Sequence, residues 1–235
     1  MTAERRLLLH IGTHKTGTTS FQKSLKVNRQ ALIARGIRPV LDRVYRDGAY
    51  REHRAGQHFT FAHLILRPEV MTSQRINGHV PSPGDRVRAR RLDRMAERIR
   101  ASDSADVILS SEQLCLLRTD EERERLARFV AQTGRAVRTV CAFREVEDWR
   151  ASWHDELIKR DDGRTAVLDA QPEDARITAP WYFDTDAIRG FWETFNLTEI
   201  AFDKSADMVA RVYEAFGIEA VGLATDLRIN TRKAP

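Results

Sequence analysis

Several residue types and patterns are scarce in this 235-residue chain. It has only two cysteines, Cys115 and Cys141, and their positions fit no disulfide framework or metal-ligand spacing. No apolar run approaches the roughly 18 residues that a membrane span needs. The apolar run Leu7–Leu9 that follows Arg5 and Arg6 is too short for a signal-peptide core. We therefore expect a cytoplasmic protein with reduced, buried thiols, no metal and no membrane span.

Lysine is also scarce, because it supplies only six of the 39 basic residues and arginine supplies the rest. The formal charge is +5, but arginines alternate with acids, as in residues 121–125 (EERER). Such alternation is typical of a solvated helix face, so we expect no nucleic acid partner. A basic cleft for a small anionic ligand accounts for the remaining charge.

Strands and helices alternate along the chain, which predicts an α/β fold with a mostly parallel sheet. Hydrophobic residues make up 42% of the chain, enough for one sizeable core, so we expect a single domain over residues 1–235. Two stretches, about 41–84 and 161–180, lack a clear period and carry Gly and Pro. Long irregular segments of this kind are often lids or substrate-binding loops.

The most informative motif is HIGTHKTGTTS at residues 10–20, directly after the apolar run. A strand, a glycine-bearing turn and a helix start, in that order, form an anion cradle because the first helical N–H groups lack partners. Gly12 and Gly17 allow the backbone to approach a phosphate closely. The predicted binding segment comprises Gly12, Thr13, His14, Lys15, Thr16, Gly17, Thr18 and Thr19.

The position of the lysine separates two interpretations of this loop. A nucleotide-triphosphate P-loop has Lys directly after its second glycine. Here Thr18 occupies that place, and Lys15 lies two residues before Gly17. The charge is therefore placed earlier along the loop than in an ATP-binding site.

A second candidate anion site lies near residue 144. A predicted strand, Val137–Phe143, is followed by Arg144 and then by helix formers with acids in the first turn. Ser152 comes eight residues after Arg144. A guanidinium fork and a hydroxyl that converge from a strand end and a helix suit a phosphate dianion.

Together these motifs resemble those of sulfotransferases that use 3′-phosphoadenosine-5′-phosphosulfate (PAPS), particularly the bacterial and carbohydrate-modifying branches. The resemblance spans roughly residues 5 to 220, with a poorly matched middle, and includes the strand 107–110 that ends in Ser-Ser-Glu. It implies a P-loop-type three-layer sandwich, transfer of a sulfuryl group without a metal, and PAPS as co-substrate. It also implies that the loop with Lys15 holds the 5′-phosphosulfate and that Arg144 and Ser152 hold the 3′-phosphate.

The general base that would deprotonate the acceptor has two candidates. Glu112 follows a central strand, where α/β sheets place their ligands, and some carbohydrate sulfotransferases use a Glu at a comparable position. His58, in a stretch that resembles a His-containing segment of bacterial relatives, is the rival base or an acceptor contact. A catalytic role is thus expected for Lys15 together with Glu112 or His58.

The sequence leaves the acceptor open, since no motif separates a glycan from a small molecule, and it leaves the oligomeric state open. Many sulfotransferases carry a C-terminal Gly-containing lid; here either Arg232 and Lys233 substitute for it or the lid is absent. An ATP-dependent P-loop kinase is the alternative enzyme, with Asp203 as its candidate Mg²⁺ ligand. A non-catalytic module that binds nucleotides or anions is the alternative outside enzymes.

Overall fold

The computed structural model describes residues 4–40, 42–46, 49–53, 58–70, 72–76, 78–80, 83–159 and 180–227. Its centre is a five-stranded sheet in which every neighbouring pair is parallel, in the order β2-β5-β1-β6-β7. A separate two-stranded antiparallel hairpin consists of β3 and β4. The strands are β1 (Arg6–His10), β2 (Ile37–Pro39), β3 (Asp42–Arg46), β4 (Ala49–His53), β5 (Asp106–Ser110), β6 (Ala136–Phe143) and β7 (Leu197–Ala201).

Helices connect the strands and cover both faces of the sheet. They are α1 (Thr18–Val27), α2 (Arg29–Ala34), α3 (Phe59–Ile65), α4 (Ser73–Ile76), α5 (Asp85–Arg100), α6 (Asp120–Thr133), α7 (Val146–Lys159), α8 (Thr185–Trp192) and α9 (Met208–Ala215). Short 3₁₀ helices span Glu112–Leu116, Pro180–Phe183 and Glu193–Phe195. In the ranges described, none of the helices has the length and apolarity needed to cross a bilayer.

Alternate residues of the strands point to two separate hydrophobic cores, as the pleat of a strand requires. Leu8 and Ile108 face a core shared with α1, α2 and α9. Leu7 and Leu109 face the opposite core, which contains residues of α3, α5, α6, α7 and α8. The result is a three-layer arrangement of helices, sheet and helices, which confirms the α/β class predicted from the alternation of elements.

Strand β1 lies at the topological switch point of the sheet. The chain leaves β1 toward β2 on one side, and it leaves the neighbouring β6 toward β7 on the other. In open α/β sheets, ligands bind outside the carboxyl ends of the strands at this point. Residues 11–17, Ser111–Glu112 and Arg144 all follow carboxyl ends of the three central strands, so they share one edge of the sheet.

Residues 41–84 contain more regular structure than their lack of periodicity predicts. The described part of this segment includes the hairpin and α3. Phe61, Ala62 and Ile65 of α3 are completely buried against the sheet. A helix that is apolar on most sides has no amphipathic period, so the sequence of α3 does not indicate a helix. Residues 160–179, which include nearly all of the second expected loop, lie outside the described residues, as do Arg232 and Lys233.

Buried arginines hold several turns together through main-chain carbonyl groups. Arg75 is 8% exposed, and its guanidinium donates to the carbonyl oxygens of five residues at and after the end of α3: His63, Leu66, Arg67, Pro68 and Val70. Arg135 donates in the same way to four carbonyls between Ile99 and Ala105. Each guanidinium therefore bonds to several carbonyls in and after the last turn of a helix, α3 for Arg75 and α5 for Arg135.

Candidate functional site

The loop between β1 and α1 is anchored to the neighbouring strand β6. The backbone N–H of Ile11 donates to the Val140 carbonyl at 3.0 Å, and the Thr13 hydroxyl donates to the Ala142 carbonyl at 2.9 Å. The Thr16 hydroxyl donates to the Thr13 carbonyl at 2.5 Å. The buried side chains of Thr13 and Thr16 therefore fix the shape of the loop.

The backbone of this loop has the geometry of an anion-binding nest. The φ angle is +69° at Lys15 and +85° at Gly17, whereas Thr16 between them has no positive φ. A change of backbone handedness over successive residues points neighbouring N–H groups into one concavity. A left-handed lysine is also sterically unfavourable, by roughly 1–3 kcal/mol, and such strain concentrates at functional sites.

The start of α1 is suited to a bound anion. Gly17 is the N-cap residue and supplies no side-chain hydrogen bond, and the first turn contains no acidic residue. The hydroxyl of Thr18 is buried and has no hydrogen-bond partner among the described residues. The helix dipole adds partial positive charge at this end. The residues therefore fit a phosphate or a phosphosulfate group.

His10, at the end of β1, packs against the loop. Its side chain is 1% exposed, and its Nδ1 lies 2.8 Å from Oγ of Ser110, the residue opposite it on β5. Burial lowers the pKa of His10 to about 3, so the ring is neutral at physiological pH. A Cβ on Gly12 would lie 3.1 Å from His10 Nε2, so glycine allows the loop to pass over the ring. Sequence reasoning missed this pair, because it depends on the register of β1 and β5.

Arg144 directly follows β6, two residues after the carbonyl that anchors Thr13. Its Nε is buried without a hydrogen-bond partner in the described part of the chain, and its guanidinium carbon lies 5.3 Å from the centre of the Phe202 ring. No ion pair of Arg144 is found within those residues. The guanidinium is thus held by stacking on an aromatic ring, which leaves its fork for an anion.

Ser152 is on the helix that follows Arg144, and its neighbour on that helix contacts the loop. The ring of Trp153 lies 5.2 Å from the ring of His14, in an edge-on arrangement. The structure therefore brings the α7 segment that carries Ser152 to the same edge as residues 12–19. The hydroxyl of Ser152 has no hydrogen-bond partner among the described residues.

Glu112 begins the 3₁₀ helix after β5, and it faces the loop. Its Oε1 lies 3.9 Å from Nε2 of His14 and accepts a hydrogen bond from Gln113 Nε2 at 3.4 Å. The Glu112 side chain is 28% exposed, so it is open to solvent on one side. It forms no ion pair with an arginine in the part of the chain that is described.

His58 is fully buried, and its surroundings favour a structural role. Its Nδ1 accepts from the backbone N–H of Ser110 at 2.8 Å, so its Nε2 donates to the Val40 carbonyl at 2.7 Å. The imidazole thereby connects the ends of β2 and β5. Both ring nitrogens of His58 are therefore engaged by main-chain groups.

No arrangement suited to a metal was found at this edge: within the described ranges, no three His, Cys, Asp or Glu side chains are grouped to hold an ion. Comparison with protein-family models and with curated proteins produced no match to this chain.

Proposed function

We propose that this chain is a sulfotransferase that moves a sulfuryl group from PAPS to a hydroxyl or an amine of a small-molecule or glycan acceptor. The observation that carries this proposal is the loop of residues 12–17. Lys15 precedes Gly17 there, both have left-handed backbone conformations, and α1 begins directly afterwards without an acid in its first turn. This geometry offers one lysine and several N–H groups to a doubly charged phosphosulfate.

A 3′-phosphate on the same ligand accounts for the second group of residues. Arg144 stacks on Phe202 and has a buried Nε without a hydrogen-bond partner among the described residues. Ser152 lies one and a half to two helical turns further on, beside a tryptophan that contacts the loop. Both groups lie at the edge where β1 and β6 end, which is consistent with one ligand that carries two anionic groups.

The kinase alternative is less well supported. A Mg²⁺-dependent P-loop site usually holds the ion with an Asp at a strand end, and Asp203 was the candidate. The Asp203 carboxylate instead accepts hydrogen bonds from the backbone N–H and the hydroxyl of Ser205, which lower its pKa. Its strand, β7, is at the margin of the sheet, with β6 between it and β1.

The residues divide the work of the proposed reaction. PAPS, when bound, supplies a sulfuryl group attached to its 5′-phosphate. Lys15 and the N–H groups at the start of α1 would stabilise the negative charge that develops on the leaving phosphate. Glu112 would remove the acceptor proton, because its carboxylate faces the loop and remains accessible to solvent.

Calorimetry provides the first test of this proposal. We expect adenosine 3′,5′-bisphosphate to bind more tightly than ATP, with no dependence on Mg²⁺ or on a chelator. Tighter binding of Mg-ATP would instead place the chain among kinases. Transfer of radioactive label from [³⁵S]PAPS to a panel of hydroxyl and amine acceptors tests turnover. Binding of the bisphosphate without transfer to any acceptor would indicate the non-catalytic module.

A further inference from the structure

We infer that His14 is a positioning residue for Glu112, and this inference rests on the proposed function. His14 immediately precedes Lys15 in the loop, and its ring is located between the base candidate and the protein interior. The pair would orient the Glu112 carboxylate toward the acceptor hydroxyl while Lys15 contacts the leaving group. We base this role on the contacts that the His14 ring makes with the residues around it.

The His14 side chain is 13% exposed and is held by groups from three separate parts of the chain. Trp153 of α7 and Tyr182 of a 3₁₀ helix lie 5.2 and 5.5 Å away, measured between ring centres. The Cys115 Sγ lies 3.8 Å from Nδ1, and the Glu112 Oε1 lies 3.9 Å from Nε2. In this enclosed position, Nε2 of the ring faces the carboxylate.

Cys115 is a hydrogen-bond neighbour of the second ring nitrogen, Nδ1. Burial raises the pKa of the Cys115 thiol to about 12, so its sulfur keeps its proton at neutral pH. In the tautomer in which this thiol donates to Nδ1, Nε2 carries the hydrogen and faces Glu112. In the described part of the chain, further charged residues near this contact are Lys15, next in sequence, and Arg118, whose guanidinium donates to the Cys115 carbonyl.

The distance between His14 and Glu112 is suited to a contact that tightens during the reaction. At 3.9 Å the two atoms are beyond hydrogen-bond distance, and catalytic hydrogen bonds often become short only with substrate bound. In the transfer step the acceptor oxygen bonds to sulfur, and the bond from sulfur to the 5′-phosphate oxygen breaks with its electron pair on phosphate. The acceptor proton moves to one Glu112 oxygen while His14 Nε2–H holds the other.

Two substitutions separate positioning from packing. His14→Phe keeps an aromatic ring against Trp153 and Tyr182 but removes both nitrogens. His14→Gln loses the ring but retains an amide N–H at a reach similar to Nε2. If His14 positions Glu112, the Phe variant should lose about 10- to 100-fold in kcat, because small misplacements of a catalytic group have effects of this size. The Gln variant should retain most of the activity, and the two variants should bind adenosine 3′,5′-bisphosphate within about threefold of each other.

The opposite order, with His14→Gln impaired and His14→Phe active, would show that the ring only packs and would overturn the inference. Absence of transfer by the wild-type protein to every acceptor would instead overturn the proposed function, and the inference with it.

NMR titration adds a measurement that does not depend on turnover. Since an opposite charge favours the charged form of a group, Glu112→Gln should move the pH midpoint of the His14 ring signals downward. An unchanged midpoint would exclude direct coupling between the two side chains.

Discussion

Gly12→Ala tests the loop geometry most directly. An added Cβ would lie 2.7 Å from Thr18 Oγ1 and 3.1 Å from His10 Nε2. Neither neighbour can move easily, since Thr18 is 3% exposed and His10 is 1% exposed and bonded to Ser110. Gly12 does not have a positive φ angle, so backbone strain plays no part and steric overlap alone causes the effect.

The expected size follows from the cost of overpacking a closed site. Inserting a methyl group where no space exists destabilises a protein by about 1–3 kcal/mol. A loop that shifts to relieve the overlap must return to its original shape to bind an anion. If all of this free energy appears as weaker binding, the affinity for adenosine 3′,5′-bisphosphate should fall by roughly 5- to 150-fold.

Urea unfolding and calorimetry measure the two effects separately. Gly190→Ala is the matched control, because no atom lies within 4 Å of its added Cβ on the exposed side of α8. This control should bind the bisphosphate normally and gain about 0.5–1 kcal/mol in unfolding free energy. Adding Thr18→Ala to Gly12→Ala removes the closest contact and should recover part of the lost stability. If Gly12→Ala retains both its urea midpoint and its affinity, the described packing of the loop is wrong.

Other expectations concern charge and protonation. Lys15→Ala should lower turnover by about 100-fold or more, with a smaller loss of bisphosphate affinity; equal turnover of Lys15→Ala and the exposed control Lys23→Ala would remove Lys15 from the mechanism. Arg144→Ala and Ser152→Ala should weaken bisphosphate binding by roughly 1.5–3 kcal/mol, the value of a charge-assisted contact, and should leave 5′-AMP binding nearly unchanged in calorimetry. Equal losses for both ligands would show that these residues do not bind the 3′-phosphate. Burial lowers the pKa of His63 to about 3, so the folded state resists protonation and stability should fall as pH drops below about 6.5, by up to about 1.4 kcal/mol per pH unit from this group. Urea midpoints at pH 7.5 and 5 should differ less in His63→Gln than in the wild type, and an equal difference would argue against this cause.

Much of the central architecture could be predicted from local patterns. The apolar runs of β1 and β5 indicate strands, because parallel strands are buried on both faces and have continuous hydrophobic sequences. The helical spacing of apolar residues predicts a helix over 120–132 that Gly134 ends, and α6 spans Asp120–Thr133 with Gly134 at φ +64°. Elements that lack such patterns, including the hairpin and α3, could not be found in this way.

The ends of some elements were misplaced because local hydrogen bonds compete with sequence signals. The sequence pattern predicts a last helix over 205–216 that starts at Ser205. The helix instead begins after Asp207, whose carboxylate accepts from the N–H groups of Val209 and Ala210. Ser205 is instead bonded to Asp203 in the preceding turn. A sequence shows that both residues can cap a helix, whereas only the structure shows which one does.

For the candidate site, the sequence indicated which residues follow strand ends but not how they contact one another. The positions of Lys15, Arg144 and Glu112 after parallel strands predicted a common edge, and the fold places them there. The enclosure of His14 depends on side chains from distant segments, and the left-handed backbone at Lys15 is unfavourable for that residue type. Neither could be derived from spacing.

The carbonyl-bound arginines change what the composition says about the surface. A guanidinium has five N–H donors in a planar fork, whereas a lysine ammonium is a single point of charge with three. A lysine at position 75 or 135 could not reach the same set of carbonyls, so those sites select arginine for its shape. Part of the excess of arginine over lysine in this chain is therefore required by the fold. For this protein, an isoelectric point derived from residue counts includes arginines whose guanidinium groups are bonded to main-chain carbonyls and are buried away from an approaching molecule.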